Sequence, residues 1–271
     1  MVAIASAPPL TSHDSLEALI KQASAKHRSD TVAGTGLASG HLTCEQTRTC
    51  IKGLVYPATA RILASYGESG MKRHDWDSRY EASAFPWTTE PNRFLVERVG
   101  GLPPGRALDW ASGEGRNAVW LASRGWEVTA VDFSLIALRR SVEFARAKGV
   151  RLAAVCADVV SFEPPPRLFD LVVVAYLQLR AHERRVSLRA AAGGVGEGGR
   201  LFVVAHHPRN IEEGWGGPQD PTVLYTAEDV VEDLEGLGLV FDEAAMVRRP
   251  VETEEGVREA LDTLVWARRT D

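Results

Sequence analysis

From Ala107 onward, short apolar runs alternate with stretches whose apolar residues recur at helical spacing. ALDWA reads as the first strand, WEVTAVD as the second, RLAAVCA as the third, FDLVVVAY as the fourth and RLFVVAHH as the fifth. Between them the pattern predicts a helix over Arg116–Arg124 ended by Gly125, and another capped by Ser134 and terminated at Gly149. A third helix, Leu179–Ala192, follows the fourth strand, and the run GGVGEGG reads as the turn into the fifth. Thr226 with Asp229 forms a capping box for a helix through Glu235. Two further strands, LVFDEAAMV and ALDTLVWARR, are joined by the polar stretch PVETEEG, short enough to return the chain as a hairpin. Strands that alternate with helices predict an α/β, doubly wound, mostly parallel seven-stranded sheet, here with an antiparallel last strand.

Composition divides the chain. All seven Trp and all eight Phe lie after residue 70, while the first 70 residues hold only Tyr56 and Tyr66 among their aromatics. That first stretch is rich in Ala, Ser, Thr and Gly, with short helices expected at Leu16–Ala25 and Pro57–Tyr66. It has too little apolar surface for a core of its own, so residues 1–70 read as a poorly structured extension and residues 71–271 as the working domain. Met71, just before KRHDWDSRY, is an alternative translation start.

Charge and cysteine content narrow the partners. With Lys+Arg 31 against Asp+Glu 36, the net charge of −5 recruits neither nucleic acid nor an anionic membrane surface. No run approaches the roughly 18 apolar residues of a membrane span, and the N-terminus lacks the basic region of a secretory signal. Cys44, Cys50 and Cys156 suit neither a disulfide framework nor a zinc site. A cytoplasmic protein with no metal, present as a monomer or weak homodimer, is expected.

The chemistry gathers where strands end. After the first strand comes Asp109-Trp-Ala-Ser-Gly113-Glu-Gly115-Arg-Asn-Ala118, a tight glycine turn feeding a helix N-terminus. Gly113, Gly115 and Ala118 also satisfy the dinucleotide fingerprint, so an NAD(P)-dependent oxidoreductase stays open on the glycines alone. Asp132, 19 residues past Gly113 at the end of the second strand, can accept hydrogen bonds from both hydroxyls of a ribose. Asp158 follows the third strand, where it can take an exocyclic adenine amine or merely cap a helix. Asp109 separates the two cofactor classes: a carboxylate repels a pyrophosphate but attracts the ammonium and sulfonium of S-adenosylmethionine. The reversed last strand points the same way.

These segments, LDWASGEGRNA, VTAVDFS, CADV and FDLVVVAYLQL, resemble the class I S-adenosylmethionine-dependent methyltransferases, with their Rossmann-like fold, over about residues 75–271. WDSRY, EPNRF and GEGRNA are most similar to the tellurite-resistance and thiopurine-type small-molecule branch, although Trp110 and Ser112 depart from the residues common in such turns. The resemblance implies that Asp109 and the Gly113–Gly115 turn hold the methionine portion, Asp132 the ribose and Asp158 the adenine end, with Ala111, Asn117, Phe133 and Tyr176 also against the cofactor. It implies a small-molecule methyl acceptor, a soft thiol or chalcogen nucleophile among the classes it serves, and S-adenosylmethionine as cofactor. A non-catalytic S-adenosylmethionine-binding module satisfies the same residues.

On the acceptor side, Tyr176 and Gln178 end the fourth strand and His206 and His207 the fifth, and either histidine has the chemistry of a general base. The Gly/Pro-rich loop GWGGPQDP, which contains Asp220, is placed to fold over the pocket. The aromatic segment with Trp76, Tyr80, Phe85 and Trp87 is the expected lid.

Overall fold

In the computed structural model, the residues described are 54–55, 73–82 and 88–270. The expected helices Leu16–Ala25 and Pro57–Tyr66, the start at Met71, and Phe85 and Trp87 of the lid segment lie outside them.

Five strands run parallel: β2 (Arg106–Trp110), β3 (Glu127–Asp132), β4 (Ala153–Cys156), β5 (Phe169–Ala175) and β6 (Val195–His206). Leu171 to Val174 are wholly buried, because a parallel strand covered by helices on both faces can carry apolar residues at every position rather than at alternate ones. A two-residue strand, β1 (Leu54–Val55), pairs in parallel with Ala154 and Val155 at the sheet edge. That pair falls inside the stretch that composition sets aside as an extension.

At the other edge β7 (Leu239–Thr253) and β8 (Gly256–Arg269) form a long hairpin. Its last strand inserts between β6 and β7, antiparallel to both, so the order is β1-β4-β3-β2-β5-β6-β8-β7. The pairing continues to Thr253 opposite Gly256, so most of PVETEEG is strand, not linker. The GGVGEGG run likewise enters β6, where a register shift between Phe169 and Leu171 takes up the extra residues. Gly199 sits so near the Phe169 carbonyl that an added Cβ would come within 2.8 Å of it.

The helices are α1 (Arg73–Ala82), α2 (Arg93–Val99), α3 (Arg116–Ser123), α4 (Leu135–Ala147), α5 (Ala181–Gly193), α6 (Asn210–Glu213) and α7 (Ala227–Asp233). Ser134 caps α4 by accepting from Ala137 N at 3.2 Å, and Thr226 and Asp229 close the capping box of α7. Helices α1 and α3 pack with α4, and α5 packs with α7. In the core, fully buried Trp110 donates its indole N–H to Ser187 Oγ at 2.9 Å. Buried Arg184 pairs with Asp233 at 2.6 Å under the Tyr225 ring, and buried Arg269 donates to the carbonyls of Ala192, Val195 and Leu237. Buried charges persist when every polar atom finds such a partner.

Candidate active site

The parallel strands end on one edge, and the turns beyond them build the site. Asp109, at 1% exposure, sits one residue before the end of β2, and its Oδ2 accepts from Ala118 N at 3.0 Å. The turn between them is left-handed at three places, Ala111 (φ 56°), Gly113 (φ 55°) and Gly115 (φ 79°). A Cβ on Gly115 would collide with the Ser141 side chain of α4. Ala111, the first of the three, is not a glycine, a local strain of the kind found at ligand sites.

Asp132 ends β3. Its Oδ2 accepts from Gly113 N at 2.8 Å and its Oδ1 from Ser134 N at 2.8 Å. Burial pushes both carboxyls upward, Asp109 to about 7 and Asp132 to about 6. Ser112 Oγ, inside the same turn, is buried with no hydrogen-bond partner among the described residues. Helix α1 closes over this corner: Ser134 Oγ donates to Asp77 at 2.5 Å, and Tyr80 brings its hydroxyl to 3.0 Å from a Cβ built on Gly113. Trp76 stacks on Tyr80, ring centres 5.9 Å apart.

The second half of the site centres on Tyr176, left-handed at φ 58° just past β5. Its hydroxyl donates to Asp262 Oδ2 at 2.8 Å and receives Asn92 Nδ2 at 3.3 Å. The Arg116 and Arg249 guanidinium groups lie 5.6 and 5.7 Å from the centre of its ring, and the His206 ring packs 4.8 Å away. Arg249 Nε also donates to Asp262 Oδ2 at 2.7 Å. Arg116 makes no ion pair or hydrogen bond among the described residues, and burial pulls it below the ordinary arginine range.

Residues 107–199 match the family model described as a methyltransferase domain. Among curated proteins the chain is 33% identical over 163 residues to the probable non-canonical nonribosomal peptide synthetase CymA of Salinispora arenicola. That match takes in 56% of this chain and spans about 2% of the relative's length. One similar solved structure comes from work on the conversion of a disulfide bond into a thioacetal group during echinomycin biosynthesis. It is 22% identical, covers 72% of this chain and 90% of that one, and has a TM-score of 0.58. TehB from Haemophilus influenzae is 17% identical, covers 73% and 67%, and scores 0.56. At these identities the likeness is one of fold, and it extends over most of the α/β sheet.

The fold is that of the class I methyltransferases. S-adenosylmethionine is the cofactor that a domain of this kind takes, and the residues present fit it. One edge of the turn offers the Asp109 carboxylate and the unpaired Arg116 guanidinium, the two charges that complement an amino-acid zwitterion, while Asp132 offers carboxylate oxygens one strand over.

On this methyltransferase fold, Asp109, Ala111, Gly113, Gly115, Asn117, Asp132 and Phe133 converge on one corner, with Tyr80 and Trp76 above it. Asn117 does not reach outward: its Oδ1 accepts from Asn92 N at 2.9 Å and so positions the asparagine that meets Tyr176. Asp158 accepts from Val160 N at 3.0 Å, an Asx turn after β4. Tyr176 and His206 belong to the second cluster, but His207 does not. It accepts from Arg209 N through Nδ1 at 3.1 Å, as part of the turn into α6, and burial holds it below the usual histidine range. Gln178 bridges His206 N and the Val223 carbonyl, a structural brace. Asp220 is exposed and bonded to Thr222, capping the 3-10 turn Pro221–Val223. The Gly/Pro loop does reach the site, through Gly217, whose added Cβ would lie 2.9 Å from His206 Nδ1.

Sequence reasoning passes over Asn92, Arg116, Arg249 and Asp262. Asp262 carries a signal, a lone carboxylate inside the apolar run ALDTLVWA. Arg116 stands directly after the glycine turn, whereas nothing in the sequence distinguishes Arg249 from Arg248.

Proposed function

We propose that this chain is an S-adenosylmethionine-dependent methyltransferase that methylates a small-molecule acceptor. The observation that carries the reading is the pair Asp109 and Asp132 at adjacent strand ends, flanking a turn that holds three left-handed residues. Asp109 takes the ammonium of the cofactor's methionine end and Arg116 its carboxylate, while Asp132 takes the ribose hydroxyls. Asp158 and Phe133 flank the adenine, and Trp76 and Tyr80 cover the corner.

Bound there, the cofactor supplies an activated methyl group on a sulfonium. The protein's part is to align an acceptor against it and exclude water, and Tyr176 walls the space between the two halves. A carboxylate at the turn disfavours a pyrophosphate, which weighs against the nicotinamide reading. The motifs WDSRY and GEGRNA support a place beside the tellurite-resistance and thiopurine-type branch. The reading includes a cytoplasmic monomer or weak homodimer; the charge balance speaks against a nucleic-acid partner, and among the described residues no helix is long and apolar enough to cross a membrane.

Calorimetry tests the reading. Micromolar binding of S-adenosylmethionine or its demethylated product S-adenosylhomocysteine, with none of NAD or NADP, is expected. Nicotinamide binding without a response to either sulfur ligand would overturn it.

A further inference from the structure

Resting on that reading, we propose that His206 and Asp262 form a general-base pair. The acceptor is then a protic group, a hydroxyl or an amine, rather than a thiolate or chalcogenide that attacks unaided.

The β6–β8 register sets His206 directly opposite Asp262. Asp262 is wholly buried, with its Oδ2 engaged by Tyr176 and Arg249. Its Oδ1 and the His206 Nδ1 are both buried with no hydrogen-bond partner among the described residues, and they face each other at 3.4 Å. A proton on Nδ1 is the arrangement that relieves both atoms at once, since an orphaned buried acceptor costs about 1–3 kcal/mol. That tautomer leaves the lone pair on Nε2. The imidazole is 15% exposed although Nδ1 is buried, so its contact with solvent lies away from the aspartate.

The ring is also clamped. Tyr176 packs against it, and Gly217 (φ 78°) lies over it so closely that a Cβ would stand 2.9–3.0 Å from Nδ1, Cε1 and Cγ. A base fixed in plane, with its tautomer set by a buried carboxylate and its other nitrogen turned away from that carboxylate, is the arrangement by which histidine activates weak nucleophiles. The charged and titratable groups around it are Tyr176 after β5, Arg249 on β7 and Asp262 on β8. Burial acts to raise the Asp262 carboxyl, but His206 and Arg249 outweigh it and hold Asp262 below the usual carboxylate range.

In the step, the acceptor's oxygen or nitrogen forms the new bond to the methyl carbon while the carbon–sulfur bond breaks and its electron pair returns to sulfur. The acceptor's proton passes to His206 Nε2. The positive charge leaves the sulfonium and appears on the imidazolium, opposite the Asp262 carboxylate. Asp262 acts here as a positioning residue.

The test uses the full chain, labelled with 15N-histidine and saturated with S-adenosylhomocysteine. Long-range proton–nitrogen spectra, assigned by difference with His206→Gln, should show protonated Nδ1 and an unprotonated Nε2 at pH 8, and Asp262→Asn should shift that tautomer balance. Methyl transfer from S-adenosylmethionine is then assayed on two panels of probes, catechol, phenol and benzylamine against thiophenol and benzeneselenol. Turnover of a protic probe that falls about 100-fold or more in His206→Gln, with S-adenosylhomocysteine affinity unchanged, supports the proposal. Asp262→Asn should lose rate in the same direction, and serves if His206→Gln does not fold. A wild-type Nε2–H tautomer, a His206→Gln rate within threefold of wild type, turnover confined to the soft probes, or none of any protic probe overturns it. Failure to bind S-adenosylhomocysteine at all would instead defeat the cofactor reading on which the proposal rests.

Discussion

The Asp132 carboxylate reaches from the end of β3 to the amide of Gly113 at 2.8 Å, so the turn after one strand hangs from the end of its neighbour. The residue proposed to read the ribose therefore also shapes the loop that receives the methionine end. Loss of Asp132 acts on both.

Asp132→Ala should weaken S-adenosylmethionine binding about 10- to 100-fold, the equivalent of roughly 1–3 kcal/mol for a charge-assisted contact. Asp132→Asn, which keeps one acceptor oxygen for Gly113 N, should lose less. Calorimetry on the two variants separates the contact from the loop, and equal affinities for wild type and alanine variant would remove Asp132 from the site.

Two carboxyls raised by burial make stability and binding respond to pH in opposite directions. With Asp109 at about 7 and Asp132 at about 6, the folded protein binds more protons than the unfolded chain between about pH 4 and 7. Stability of the ligand-free protein should therefore fall as pH rises through that window, an outcome denaturant titrations at pH 5 and pH 7.5 will show. Affinity for S-adenosylmethionine should rise by about tenfold from pH 6 to pH 8 as Asp109 ionises to meet the ammonium. A pH-independent affinity would indicate that Asp109 does not face that group.

Gly115→Ala should cost about 2–4 kcal/mol, from left-handed strain and from pressing a methyl group into Ser141. Pairing it with Ser141→Gly should recover the steric part and leave the strain. Thermal unfolding of the single and double variants measures the split.

Asp233→Ala should destabilise by about 3–5 kcal/mol, because it strands the buried Arg184 guanidinium. Arg185, half exposed and bound to the same carboxylate, adds little of that loss. Chemical denaturation of Asp233→Ala and Arg185→Ala, side by side, checks the ranking.

Met71–Asp271 expressed alone should fold and bind S-adenosylhomocysteine within threefold of the full chain. It would lack the two-residue pairing of Leu54–Val55 with Ala154 and Val155, so a lowered melting temperature is expected. Insolubility or a tenfold loss of affinity would place residues 1–70 within the working enzyme.

The sheet was legible because its parallel strands are short, mostly apolar runs separated by stretches of helical spacing, a local pattern that needs no knowledge of partners. The corner proposed for the cofactor was legible for a related reason: Asp109, the glycine turn and Asp132 occupy one stretch of 24 residues. The acceptor half was only partly so. Tyr176 and His206 announce themselves by ending strands, but Asp262 meets them through a register that only pairing across the sheet reveals. His207 and Asp220 have the residue types of a site, yet backbone amides claim both side chains. The glycine run that opens β6 and the polar stretch at the tip of the β7–β8 hairpin read as turns because composition does not register an irregular or exposed ladder.

The inserted strand β8 also bears on the order in which the two halves of the site assemble. Asp132 and Gly113 lie 19 residues apart, and contacts of so short a span close early and fast. Tyr176 and Asp262 lie 86 apart, and β8 docks between β6 and β7 only after the whole hairpin has been made. On the ribosome the Asp109–Asp132 corner can therefore form while the wall around Asp262 is still missing. A nascent chain halted before Asp262 would display Tyr176, His206 and the unpaired edge of β6 to solvent, which is the interval in which a chaperone would find most to hold.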